Sequence, residues 1–355
     1  MKNYYIIRTR YNVDDFVKES RVAVGWSDID FTKYTDNQDR LLEEVKKHYY
    51  SGDDMSPNIR GRKLGEIKRF INIQKDDIII VPSYRSFYIG YATGKFEYDQ
   101  SSHDIDLSNQ LIVDFKKDEN NEPIPFARDG KNTALTTKLK VRGFTVLDVN
   151  GSILTQSIED LLNSTEDISD VEKVIRSENQ ELKKFKDDLK KVLTNYNMTS
   201  LNSGGRGFEE LIKALMECDG YKTTILSKQI GGNGIADVDI FAVKESQLAD
   251  EFTTACYIQA KHYWGKSNNG IEQIIEFKNE TKVPKDISVR PENIQYCLIS
   301  SGNFCNEVYN KAEKNDIILI DGERLAEILF NKIDELPEIR YQLGFVKKYE
   351  HYNDH

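Results

Sequence analysis

The sequence predicts two folds in one chain: an N-terminal β-barrel or strongly bent sheet, and a C-terminal α/β domain whose central mixed sheet is flanked by helices, the two joined by a long helix. Three observations carry this. Residues 1–150 are dominated by short β-branched or aromatic runs between Gly, Asp, Asn and Pro signals; residues 158–198 contain neither Gly nor Pro; and from 207 onward apolar runs alternate with amphipathic ones. A length of 355 residues suits two ordinary domains and a connector. The expected organisation is 1–150, a connector over 151–203, and 204–355.

In the first part, YYIIRT, RVAVGW, DDIIIVPS, FYIGYATGKFEY, QLIVDF and LKVRGFTVL read as strands, interrupted by one helix, DRLLEEVKKHYY. Several short strands with few helices suggest a barrel or bent sheet. In the connector, Val171, Ile175, Leu182, Phe185, Leu189, Val192 and Tyr196 recur at spacings of four and three, broken by Glu178. Such a stripe must be buried, either against a second copy, giving a homodimer through 158–198, or within the chain. SLNSGGRG then ends the helix. In the third part FEELIKALMECDGY is an amphipathic helix closed by Gly220, DVDIFAVK and TACYIQAKHYW are strands, and two strand-then-helix units follow, YCLISSG with NEVYNKAEK and DIILIDG with ERLAEILF. Apolar strands alternating with helices belong in a sheet covered on both faces.

Composition narrows the function classes. No apolar run approaches the ~20 residues of a bilayer span, so no membrane partner is expected and the chain reads as cytoplasmic. The four cysteines form no CxxC pair and the five histidines no HxH or HExxH spacing. Disulfides and zinc are therefore not expected, and a metal would be held by oxygen ligands. A net charge of -10 disfavours indiscriminate adhesion to nucleic acid but leaves room for local basic tracks. One is NIRGRKLGEIKRF, where Arg60, Arg62, Lys63, Lys68 and Arg69 oppose only Glu66; the other is TKLKVRG, where a strand would set Lys138, Lys140 and Arg142 on one face. Arg60, Arg62, Lys63, Lys138, Lys140 and Arg142 are thus candidates for phosphate contact, against the ordinary reading of a solvated charged face.

The chemistry-bearing feature is Asp239 followed, on the next strand, by Gln259-Ala260-Lys261. Residues two apart on a strand share a face, so Gln259 and Lys261 point the same way, and a paired neighbouring strand can bring Asp239 beside them. A lysine after the apolar run ACYI needs solvent or polar partners. Acid, amide and amine together suit metal-assisted hydrolysis, with a carboxylate holding a hard cation and a lysine orienting water. Asp237 shares the strand face of Asp239, and either could be the ligand.

Taken in order, Phe208-Glu209, Gly220-Tyr221, the glycines Gly231, Gly232 and Gly234, Asp239-Ile240-Phe241-Ala242, Gln259-Ala260-Lys261, and the ISSG and LIDGERLAEIL segments make residues 204 to 330 resemble the Mrr-type restriction endonuclease domain, a PD-(D/E)xK branch with Gln in the second acidic position. The resemblance implies Asp239 as metal ligand, since the family acid directly precedes an apolar triplet. It also implies Gln259 in the second acidic position, Lys261 as the water-orienting amine, the Ala260 carbonyl in the metal shell, and Glu209 as an auxiliary acid and ligand. Mg²⁺ or Mn²⁺ would be the cofactor. His262 reads as structural or substrate-facing.

The first 150 residues resemble PUA-like domains, including EVE-type relatives, through Tyr5-Ile6-Ile7-Arg8, Ala23-Val24-Gly25-Trp26, Phe70, the DDIIIVP run and Ile89-Gly90-Tyr91-Ala92-Thr93-Gly94. That resemblance implies a reader of nucleic acid that accommodates an extruded, modified base, with Trp26, Tyr84, Phe87 and Tyr88 as pocket candidates. Together the two resemblances imply a Mg²⁺-dependent, restriction-type DNA endonuclease of bacterial defence. The rival readings are an inactive nuclease fold serving as a nucleic-acid sensor, and a nuclease acting on RNA.

Overall fold

The computed structural model describes residues 2–51, 57–128, 133–140, 144–149, 151–164, 169–194, 205–226, 238–246, 248–249, 252–263, 266–267, 270–280, 289 and 291–344. The chain divides into two compact units, Met1–Glu181 and Leu182–His355.

The first unit runs β1 (Tyr4–Ile7), α1 (Val13–Lys18), β2 (Arg21–Val24), α2 (Gln38–Tyr49), α3 (Pro57–Ile71), β3 (Ile78–Pro82), β4 (Ser86–Tyr98), β5 (Asn109–Phe115), β6 (Phe126–Ala127), α4 (Thr133–Lys140), β7 (Val146–Asp148) and α5 (Ser152–Asn163), and enters α6 (Asp170–Thr194). The sheet order is β2-β5-β4-β3-β1-β7, with β6 on β4. Among the described residues, β1 and β3 pair in parallel and its other ladders are antiparallel. Continuous apolar strands split by alternation into two cores. Tyr5, Ile7, Ile79 and Val81 join Val45, Ile67 and Phe70 on one side, while Tyr4, Ile6, Ile78 and Ile80 join Leu135, Leu139 and Ile158 on the other.

The sheet carries an irregularity and a side-chain tie. The register of β4 against β5 shifts between Ala92 and Phe96, and bulges of this kind increase local twist. The Thr9 hydroxyl, just past β1, donates to Ala23 O at 3.1 Å and accepts from Ala23 N at 3.0 Å. It thereby draws together β1 and β2, which stand far apart in the sheet order.

Two expectations for this unit are corrected. Among the described residues of 1–150 there are four α-helices, not the one expected. The segment with alternating Lys138 and Lys140 is the helix α4, not a strand, because Leu135 and Leu139 form a buried i, i+4 pair. A helix turns ~100° per residue, so the two exposed lysines diverge instead of sharing a face; Arg142 lies outside the described residues. Arg8 closes this helix, its Nη2 donating to Lys138 O and Leu139 O, each at 3.2 Å.

The connector is the helices α5 and α6. Of the expected stripe, Val171 is 59% exposed, whereas Ile175, Leu182, Leu189 and Val192 are buried. Leu189 and Val192 join the core of the second unit, and Phe185 packs edge-on against Phe330 at 5.5 Å. That part of the stripe is spent inside the chain. Tyr196 lies outside the described residues.

The second unit continues with α7 (Gly205–Cys218), β8 (Lys222–Ile225), β9 (Ile240–Lys244), β10 (Thr254–Lys261), β11 (Lys266–Ser267), α8 (Ile271–Glu280), β12 (Ile294–Ser300), β13 (Asn303–Phe304), α9 (Asn306–Lys314), β14 (Ile318–Ile320), α10 (Gly322–Lys332) and α11 (Pro337–Gln342). Gly220 follows α7 at φ +86, the left-handed conformation that ends helices. The five-stranded sheet has the order β14-β12-β10-β9-β8. The central strand β10 is antiparallel to β9 and parallel to β12. One face packs on Phe208, Leu211 and Ile212 of α7 and Leu325 and Leu329 of α10; the other packs on Ile271 and Ile274 of α8 and Val308 of α9. This is the mixed, doubly covered sheet the sequence predicts.

Candidate active site

The candidate site forms where β9 and β10 part. Their last paired residues are Ile240 and Ile258. Just beyond, the Asp239 amide donates to Ile258 O at 3.0 Å and its carbonyl accepts from Leu226 N at 2.8 Å, so its backbone is held from both sides. The Asp239 carboxylate then turns onto β10. Its Oδ2 accepts from the Ala260 amide at 2.7 Å and also from the Gln259 carboxamide Nε2. Bonds to an ionised acceptor are the strong ones, and here they fix the acid against the two residues that precede Lys261.

Gln259 is 2% exposed. Its Nε2 is engaged, but its Oε1 is buried with no hydrogen-bond partner. An orphaned buried acceptor costs ~1–3 kcal/mol, and such atoms mark positions held for something other than stability. Alternation along β10 separates the neighbours. Tyr257 lies in the core under α8 and α9 and Ile258 in the core under α7 and α10, so Gln259 and Lys261 share the α8 face. Lys261 is half-buried, and its carbonyl accepts from Ser301 N at 3.1 Å.

His262 takes the other face: its ring stacks on Phe208 at 5.4 Å and its Nε2 lies 3.0 Å from Leu193 O. Of the two expected roles, structural or substrate-facing, these contacts are structural ones. Glu209 is carried on α7, the helix covering the face opposite Gln259 and Lys261, and pairs with Arg206 at 3.8 Å. Asp237 and the three glycines of the turn before it lie outside the described residues. Among the described residues no group of three or more His, Cys, Asp or Glu could hold a metal ion. Of the described oxygens gathered here, the Asp239 carboxylate is the charged one and those of Gln259 and Ala260 are neutral.

In the first unit, the structure buries three of the four aromatic candidates. Trp26 is 7% exposed, stacks on Phe31 and donates from Nε1 to the Tyr50 hydroxyl at 2.6 Å. Phe87 and Tyr88 are also buried, Tyr88 donating to Asp14 Oδ1 at 2.8 Å. Tyr84 is half-buried, with the Arg85 guanidinium over its ring at 5.4 Å. A base could reach the buried three only by displacing core neighbours.

The basic track around residue 60 lies on α3 and gathers about a fully buried acid. Glu66 Oε2 accepts from Thr145 N at 2.7 Å, while its Oε1 faces Arg62 Nε at 3.9 Å and Lys63 Nζ at 3.8 Å. Arg62 also lies over the Phe144 ring at 5.3 Å. Burial pulls the Lys63 ammonium below its ordinary value, Glu66 only partly reversing this. The buried Glu66 is invisible in sequence, where it reads as one acid diluted among bases. Arg60, half-buried, begins the same helix face.

With this geometry established, residues 201–329 match the Mrr catalytic family, described as restriction endonuclease. The segment contains α7, β9, β10 and the Asp239, Gln259 and Lys261 set, and its mixed sheet is a restriction-endonuclease-like α/β fold. The match covers less than half of the chain, and the first unit lies outside it. Two solved structures are similar at low level. The DNA modification-dependent restriction endonuclease AspBHI has 14% identity and a TM-score of 0.30, with 86% of this chain and 72% of that one covered. The MspJI restriction endonuclease in complex with a 27-mer oligonucleotide has 13% identity and a TM-score of 0.28, with 97% and 80% covered. No curated protein matches the chain.

Proposed function

We propose that the chain is a restriction-type DNA endonuclease that depends on a divalent metal ion and serves in defence against foreign DNA, with the second unit cutting and the first reading nucleic acid. The observation that carries this is the Asp239 carboxylate bound by both the Gln259 carboxamide and the Ala260 amide, on the strand that ends in Lys261.

The residues present fit Mg²⁺ or Mn²⁺. Asp239 supplies one hard anionic oxygen, and the orphaned Gln259 Oε1 supplies a neutral one that lacks a donor. Turning the carboxamide over would bring Oε1 beside Asp239, an arrangement of two oxygens that only a cation makes favourable. Asp239, Gln259 and the Ala260 carbonyl would hold the ion. When bound, the ion acidifies a water molecule and offsets charge on the phosphate. Lys261 orients the attacking water through its ammonium. Asp239 keeps its place through the Ala260 amide, which remains a donor whichever way the carboxamide faces.

In the first unit Arg60, Arg62 and Lys63 of α3, and Lys138 and Lys140 of α4, are the phosphate-contacting residues of this reading. Tyr84 is the aromatic residue that retains surface for a base.

The test is digestion of modified DNA, unmodified DNA and structured RNA, side by side, by the wild type, Asp239→Ala and Lys261→Ala. The expected result is metal-dependent cutting of DNA that both substitutions abolish while DNA binding persists. Equal cutting by both variants would reject the site, and cutting of RNA alone would reject the substrate.

A further inference from the structure

The backbone at Gly270 leaves no room for a side chain beside the stem of Lys261. Gly270 adopts φ +94, immediately before α8, and its carbonyl accepts from Ile274 N at 3.2 Å in the first turn. A Cβ at this position would stand 2.9 Å from Leu298 Cδ1, 3.0 Å from Lys261 Cε and 3.1 Å from Lys261 Cγ. Leu298 is fully buried and in register with Gln259. It therefore has little room to yield, and an added methyl group would push against the lysine.

We propose that Gly270 is a positioning residue for Lys261, an inference that rests on the nuclease reading of this site. A lysine stem has four carbons and rotates freely, so an amine that must hold water at one point needs its stem confined. Ser301 N holds the Lys261 carbonyl at 3.1 Å. A side chain at position 270 would meet Lys261 Cε and Cγ and Leu298 Cδ1, so the Gly270 backbone bounds the space of the alkyl chain from the α8 side. Glycine is required twice over: its φ is one that other residues adopt at a cost, and the space for a side chain is already filled by Lys261.

The arrangement separates position 270 from an ordinary helix start. Substitution there should disturb Lys261 specifically, and removing the lysine stem should relieve the disturbance. The experiment compares Gly270→Ala in the wild-type and Lys261→Ala backgrounds, reading the melting temperature in all four proteins, and reading single-turnover DNA cleavage and DNA affinity in the wild type and Gly270→Ala. The expected result is a single-turnover rate at least tenfold lower in Gly270→Ala with affinity within twofold. The fall in melting temperature should also be smaller when Lys261 has been truncated. Equal falls in both backgrounds, or wild-type cleavage by Gly270→Ala, would overturn the proposal. If Gly270→Ala does not fold, folding of the double variant supports it and failure of both variants rejects it. Should the wild type cut nothing, the nuclease reading falls, while the melting comparison still decides the packing claim.

Discussion

Replacing Gln259 with leucine separates what this residue does for stability from what it does for the site. Gln259→Leu removes one hydrogen bond to an ionised acceptor, worth ~1.5–3 kcal/mol, and also removes the partnerless Oε1, whose burial costs ~1–3 kcal/mol. The two terms nearly cancel. Leucine is of comparable bulk and suits a position beside Leu298, while Asp239 keeps the Ala260 amide as a donor. The expected stability change is within about 1 kcal/mol, a shift of roughly 2–4 °C for a domain of this size. An ordinary hydrogen-bonded core glutamine would cost more. The assay is thermal or urea unfolding of both proteins in metal-free buffer, with cation binding followed by calorimetry. A loss above about 3 kcal/mol would refute the claim that Oε1 is unsatisfied in the folded state. Gln259→Glu supplies the complementary result. A second carboxylate beside Asp239 would have its pKa raised by the like charge. Stability should then fall as pH rises above the unfolded value of about 4.3, and millimolar Mg²⁺ should restore it.

Three other outcomes are expected. Glu66→Leu leaves Arg62 and Lys63 without their buried carboxylate and Thr145 N without its acceptor, so urea unfolding should show a loss of about 3–5 kcal/mol. In the wild type, burial holds the Lys63 ammonium below its ordinary value of 10.5. The unfolded chain binds that proton more tightly, so the Lys63 contribution to stability improves as pH rises from the folded value to the unfolded one. Lys116 Nζ donates to Leu161 O at 2.7 Å, Leu162 O at 3.2 Å and Ser164 O at 2.5 Å at the end of α5; Lys116→Met should speed amide exchange in the last turn of that helix and cost about 1–2 kcal/mol. Burial pulls the Asp28 carboxyl upward, but hydrogen bonds from Tyr49, His103 and His48 leave it below its ordinary value of 3.8. Its stabilising contribution is complete above 3.8 and is lost as pH falls through the folded value, so Asp28→Asn should flatten the acid side of the stability profile.

Sequence revealed those parts of the structure whose signal is local. The apolar runs of β1 and β3 declare strands because both faces are buried, and the alternating spacing on α6 declares a helix because its stripe is narrow. The segment around Lys138 misleads because K-L-K alternates in polarity like a strand, while the deciding pair, Leu135 and Leu139, is separated by a helical turn. At the site, Asp239, Gln259 and Ala260 could be anticipated to meet because two adjacent strands carry them. The orphaned Oε1 and the closeness of Gly270 to Lys261 could not. Both depend on where atoms remote along the chain come to rest, and the one trace in sequence is a glycine after two asparagines. The aromatic candidates failed as a surface group for the same reason: an aromatic residue near a strand end has no local mark that distinguishes a pocket wall from core filling, and Trp26 and Tyr88 fill the core.

The Thr9 contact gives the first unit an unusual mechanical property. Elsewhere neighbouring strands are zipped by repeated backbone pairs, but here a hydroxyl fastens the chain after β1 to Ala23 with one donated and one accepted bond. This join is a button rather than a zipper: it rests on one side chain, whereas β2 and β5 share four paired residues.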